Sequence, residues 1–167
     1  MAITLITTAG SATANSYSTL IEANAYFATK YHTSSWDGAD GDVQRACLAW
    51  ATRLLDQLVI WQGYKYTEEQ ALRWPRSSVV DSDGYEIDYT TIPQFLKNAT
   101  AEFAGHLLIK DRTLEPGTKG FTYMKVGSLE LKTDKKDMPD VLPDSVYTMI
   151  VPFGYKQSDQ PTRLVRV

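Results

Sequence analysis

The chain has 167 residues, 43% hydrophobic and 22% charged, with ten Tyr, five Phe and four Trp. That reads as one domain able to bury roughly 70% of its unfolded surface, and it excludes disorder of the whole chain. Net charge is −3, and the basic residues are scattered, with small clusters at Lys132, Lys135, Lys136 and at Arg163, Arg166; strong nonspecific nucleic-acid binding is disfavoured. Cys47 is the only cysteine, which excludes an internal disulfide. The N-terminus has neither the basic start nor the apolar core of a signal peptide. No apolar run approaches the ~20 residues that span a bilayer, so no membrane partner is expected.

In chain order, residues 1–8 are rich in Ile and Thr and read as a strand. Gly10 to Ser16 is a small-residue linker. Thr19 and Glu22 form a capping box, predicting a helix to about Tyr31 with Leu20, Ala23, Phe27 and Tyr31 on one face. Ser34 to Gly41 reads as a loop, with Asp40 or Asp42 capping the next helix. That helix, about 42–59, has the strongest periodicity: Val43, Ala46, Cys47, Trp50, Leu54, Leu55 and Leu58. Residues 60–66 are aromatic and irregular. Thr67 to Gln70 is a second capping box, predicting a short helix that Pro75 stops.

Asp81-Ser82-Asp83-Gly84 is a turn. Ile92-Pro93 opens a long helix to about Asp111, with Leu96, Ala99, Phe103, Leu107 and Leu108 inward. Beyond Glu115-Pro116-Gly117, the run to Asp134 is extended, with Gly127-Ser128 closing a hairpin. In that register Met124 and Val126 oppose Leu131 and Leu129, and Lys125 opposes Glu130. Asp144 caps a last helix, Ser145 to Val151. Thr162 to Val167 alternates as a strand does. The predicted fold is mainly α: a small bundle of three to four helices with a β-hairpin and extended N- and C-terminal strands. It is one domain with a helical core at 17–111, a hairpin at 118–134, a helix at 144–152 and a tail at 157–167.

No complete catalytic or cofactor motif is present, and the chain reads as a binding or assembly protein with no enzymatic activity, cofactor or metal. Asp81 to Gly84 begins like a calcium loop, but the twelfth position, which needs a carboxylate, is Ile92. His32 and His106 have no His or Cys at ligand spacing. Cys47 lies on an apolar helix face and reads as a small buried hydrophobe. Glu68, Glu69 and Asp56 suggest acid/base work, but nothing pins a water or substrate between them, and adjacent carboxylates in a helix's first turn more simply complement the helix dipole. Trp61, Tyr64, Tyr66 and Trp74 interleave with Lys65, Arg73 and Arg76. That pattern either stacks single-stranded bases or packs the loop onto the bundle, with an arginine over a ring.

Several segments together carry a resemblance: SYSTLIEANAYFATKY, RACLAWATRLLDQL, QALRWPRSSVVDSDG, IPQFLKNATAEFAGHLL, KVGSLELK and the closing RLVRV. They resemble small tailed-phage proteins labelled DnaT-like single-stranded DNA-binding, and head–tail connector (adaptor) proteins. The resemblance covers nearly the whole chain, and its most specific piece is Ala-Leu-Arg-Trp-Pro-Arg before the Asp-Gly turn. It implies a structural protein of the virion neck, made in the host cytoplasm. Such a protein forms a ring, usually of twelve copies, between a portal protein and a tail or tail-completion protein. Genomic DNA would pass through its lumen without sequence-specific binding. In that role Arg163, Leu164, Val165, Arg166 and Val167 would dock on the portal. Met124, Val126, Leu129, Leu131, Trp74 and Arg76 would meet a neighbouring subunit or the tail. The alternative is a phage single-stranded DNA-binding replication accessory.

Overall fold

The computed structural model describes residues 3–114, 123–126, 129–132 and 140–157, with the strands 123–126 and 129–132 as backbone. The strongest amphipathic pattern becomes α3, Gly41–Leu58, whose N-cap Asp40 accepts from the Asp42 amide. Its buried stripe is Gln44, Cys47, Leu48, Ala51, Thr52, Leu54 and Leu55. Val43 and Ala46, expected inward, are exposed. The stripe is turned because Gln44 is drawn in, donating its side-chain amide to the Trp36 carbonyl at 2.7 Å.

α3 packs on α4, Gln94–Ile109, which buries Leu96, Ala99, Thr100, Phe103, Ala104 and Leu107. α1 (Leu20–Phe27), α2 (Ser34–Asp37) and α5 (Asp144–Ile150) also pack on α4. The helix-rich expectation stands, with five helices among the described residues. α4 and α5 each follow an N-cap proline, Pro93 and Pro143; Asp144 is the first residue of α5 and makes no side-chain cap bond.

The capping box at Thr19 forms as read: Glu22 N donates to Thr19 Oγ1, and Thr19 N to Glu22 Oε2. α1 nevertheless ends at Phe27, short of Tyr31. The amides of Thr29 and Lys30 turn to the carbonyls of Tyr26 and Phe27, three residues back, which closes the helix, and Tyr31 is exposed. The segment read as a loop contains α2, too short to show a period. It is pinned by buried Trp36, whose ring stacks on Phe27 at 4.5 Å and whose indole N–H donates to Asn24.

The second capping box forms only by half, and the helix read after it is a correction. The Gln70 side-chain carbonyl accepts from Thr67 N, but the Thr67 hydroxyl has no hydrogen-bond partner among the described residues, and no helix follows. The Gln70 side-chain amide donates instead to the carbonyls of Leu72 and Pro75. The irregular aromatic stretch carries β1 (Val59–Trp61) and β2 (Tyr64–Lys65). β1 pairs antiparallel with β6 (Gly154–Lys156), and β2 with β3 (Arg76–Ser77). Gly63 makes the tight turn between β1 and β2, with φ +67° and no room for a Cβ, which would lie 2.2 Å from Ser77 O.

The Asp81–Gly84 turn is present: Gly84 has φ +88°, and Asp81 Oδ1 accepts from Asp83 N and Tyr85 N. Among the described residues that carboxylate's hydrogen bonds are local to the turn, as turn chemistry for Asp and Gly requires. β4 (Tyr123–Val126) and β5 (Leu129–Lys132) pair in the expected register, Met124 with Leu131, Lys125 with Glu130 and Val126 with Leu129. The Gly127-Ser128 turn and the tail residues Arg163, Leu164, Val165, Arg166 and Val167 lie outside the described residues. No described helix is long and apolar enough to cross a membrane.

Candidate nucleic-acid interface

Two of the residues expected to dock on partners, Trp74 and Arg76, are interior. Trp74 is 1% exposed and Arg76 8%, and Trp61 beside them is 6% exposed. The Trp74 ring meets Trp61 and Phe95 edge-on at 5.7 and 5.6 Å. Arg76 lies over no ring among the described residues. Its Nε donates to Gln62 O, Nη1 to Arg73 O and Nη2 to Gly63 O, so it stitches the β1–β2 turn to the loop before β3. The interleaved aromatics and cations therefore divide. Trp61, Trp74 and Arg76 are structural, whereas Tyr64, Tyr66, Lys65 and Arg73 are exposed.

The exposed cations of this loop face a groove. α3 presents Ala49, Thr52, Arg53, Asp56 and Gln57 along one side; Ile3, Ala14 and Asn15 form another wall; Lys65 and Ala71 to Arg73 close it. The groove encloses about 710 Å³. Arg53 and Arg73 are exposed, and neither guanidinium forms a hydrogen bond or ion pair among the described residues. Lys65 is tied, donating to the Gln70 carbonyl at 2.8 Å. Basic residues that are scattered in the sequence thus converge in space, at positions 53, 65 and 73.

Asp56 is the groove's one carboxylate. Tyr17 donates its hydroxyl to Asp56 Oδ1, and the Arg73 amide donates to Oδ2 at 3.0 Å. Trp74 N in turn donates to the Tyr17 hydroxyl at 3.3 Å. Burial pushes the Asp56 carboxyl up to about 6, while these donors and the nearby arginines pull it back down. Burial and the Asp56 charge hold the Tyr17 phenol well above its ordinary value. This chain of bonds fixes the loop bearing Arg73 to α3 bearing Arg53, so the two guanidinium groups share one frame. Tyr17 N donating to Thr52 Oγ1 adds a second tie.

The histidines lie elsewhere. His32, His106, Lys30 and Glu102 line a smaller cavity of about 210 Å³. Lys30 and Tyr26 both bond Glu102 Oε2, which holds that carboxyl below its usual range despite burial. His106 Nε2 lies 2.9 Å from Ser145 Oγ and 3.6 Å from Glu102 Oε1. Serine and carboxylate thus meet the same ring nitrogen, whereas a proton relay needs them on opposite nitrogens. Cys47 is buried, and burial raises its thiol above the ordinary value. No group of three or more His, Cys, Asp or Glu among the described residues is placed to hold a metal ion.

The sequence reading missed Arg53 as a site residue and weighed Asp56 only as an acid/base carboxylate. The one signal for them is their place on the polar side of an otherwise apolar helix, with Arg53, Asp56 and Gln57 at helical spacing.

A family model described as "Putative DnaT-like ssDNA binding protein" matches residues 1–167. No curated protein and no solved structure matches the chain.

Proposed function

The chain belongs to the family of DnaT-like ssDNA binding proteins, and from that premise we propose that it binds single-stranded DNA along the α3 groove. The observation that carries the reading is the convergence of Arg53, Lys65 and Arg73 on one groove, with both guanidinium groups unpaired among the described residues. Unpaired guanidinium groups on a rigid frame are suited to phosphate oxygens, which they bind in a bidentate way. A site of this size contacts a short stretch of backbone. It needs no basic protein overall, because only the local field meets the strand. The test is fluorescence anisotropy of a labelled oligothymidine across a salt series. Binding is expected to weaken with salt at a log–log slope of roughly 0.7 per phosphate contact. Undetectable binding at low salt would sink the reading.

A second reading, a head-to-tail adaptor of a phage neck, is favoured by a different observation. The β4–β5 hairpin pairs with no third strand among the described residues, and a lone hairpin is marginal until a partner covers it. In this reading copies of the chain form a ring that meets a portal above and a tail component below, and DNA passes through its lumen. Mass spectrometry of purified particles, followed by imaging of the neck, tests it. A chain absent from the particle would remove it.

A further inference from the structure

The N-terminal arm is held on one side only. Ile6 N donates to Asn15 Oδ1 at 2.8 Å, Asn15 Nδ2 to Thr4 O at 2.9 Å, and Asn15 N to Ile6 O at 2.9 Å. The Thr4 carbonyl and both Ile6 peptide groups therefore face Asn15, the alternation of an extended strand whose ladder partner is one asparagine. In such a segment the peptide groups of Leu5 and Thr7 point the opposite way. They make no hydrogen bond among the described residues, and the arm joins no sheet there. Next to this open edge is a shallow trough of about 430 Å³ lined by Ile3, Leu5, Leu20, Ile21 and Arg45. Ile21 is 81% exposed at this trough.

The same chain carries what such an edge requires. The hairpin β4–β5 is a two-stranded sheet with both outer edges unpaired among the described residues. Its β5 sequence, Leu-Glu-Leu-Lys, alternates apolar and polar residues at the period of a strand that lies with one face on an apolar surface. Each copy therefore supplies one open arm and one open hairpin in equal number. We infer that the hairpin of one copy adds edge to edge onto the arm of a second copy, with an apolar face of the strand over the Ile3–Ile21 trough. Pairing of unlike surfaces is heterologous, so it propagates from copy to copy unless rotation closes it. The inference stands apart from DNA binding and deepens the second reading, whose ring it supplies with a contact between copies; its test contains neither DNA nor a virus particle, so the two fail separately.

Hydrogen exchange on the full chain across a concentration series reads the edge directly. Ile6 is expected to be protected at every concentration, whereas Leu5 and Thr7 gain protection only as sedimentation shows copies associating. Leu5→Pro removes an outward donor, and Glu130→Pro interrupts β5 on the other partner. Each is expected to return the protein to a monomer, with exchange in α3 unchanged as the check that the core still folds. A monomer at all concentrations would overturn the inference. So would Leu5 and Thr7 protection independent of concentration, which means the arm is covered within its own copy. Association that survives both proline variants would overturn it as well.

Discussion

Arg73 and Arg76 stand three residues apart in one loop and are used in opposite ways. Arg76 is buried and spends its donors on the carbonyls of Gln62, Gly63 and Arg73. Arg73 is exposed on the groove, its guanidinium without a hydrogen-bond partner among the described residues. The two tryptophans follow the interior arginine and the two tyrosines the exterior one. A guanidinium is settled by whichever acceptors reach its fork. Three turn carbonyls within reach claim the Arg76 fork, and the groove leaves Arg73 to an outside anion.

The sharpest way to break this contrast is on its interior side. Trp74→Ala is expected to cost about 3–5 kcal/mol, because a fully buried ring leaves a cavity between Trp61 and Phe95. A urea titration followed by circular dichroism measures it, and a loss within ~0.5 kcal/mol would place the ring outside the core. Arg76→Met is next. It keeps the stem's volume but strands three carbonyl acceptors, at an expected cost of roughly 2–4 kcal/mol.

Asp56 lies between the two regions and makes the contrast pH-dependent. Its carboxyl is pushed up from 3.8 to about 6 by burial. A raised folded value gives stability that is fully present below the unfolded value near 3.8 and lost as pH rises through about 6. The loss is on the order of 2–3 kcal/mol. Subtracting the profile of Asp56→Asn from that of the parent isolates this step from the opposing contributions of Glu22, Glu102 and His106, whose values are lowered. A flat difference between pH 4 and pH 7.5 contradicts the assignment. The same protonation removes the groove's negative charge, so DNA affinity should rise as pH falls through about 6.

Helix positions were legible where one local signal sufficed. Thr19 and Glu22 close their box within four residues, and the α3 stripe repeats over five turns. The hairpin register followed from the sequence around Gly127-Ser128. What was illegible depended on distant partners. Gln70 makes its half of a capping box with Thr67 N, but its amide is taken by the carbonyls of Leu72 and Pro75 and no helix follows. Val59 to Trp61 became a strand only because Gly154 to Lys156 returns beside it, across more than ninety residues. The groove was hidden for the same reason. Arg53 belongs to a helix, Lys65 to a strand and Arg73 to a loop, and bonds between residues distant in sequence, such as Tyr17–Asp56–Arg73 and Tyr17–Thr52, join the helix to the loop. Sequence clustering pointed instead at Trp74 and Arg76, whose adjacency reflects shared burial.

The most direct test of the account is DNA binding by the double charge reversal Arg53→Glu/Arg73→Glu beside the parent. Both positions are exposed, so stability should stay within about 1 kcal/mol. The account predicts at least a tenfold loss of oligothymidine affinity at low salt, with the salt slope reduced by roughly 1.4 for two lost phosphate contacts. A folded variant that binds as tightly as the parent, with the same slope, would contradict it.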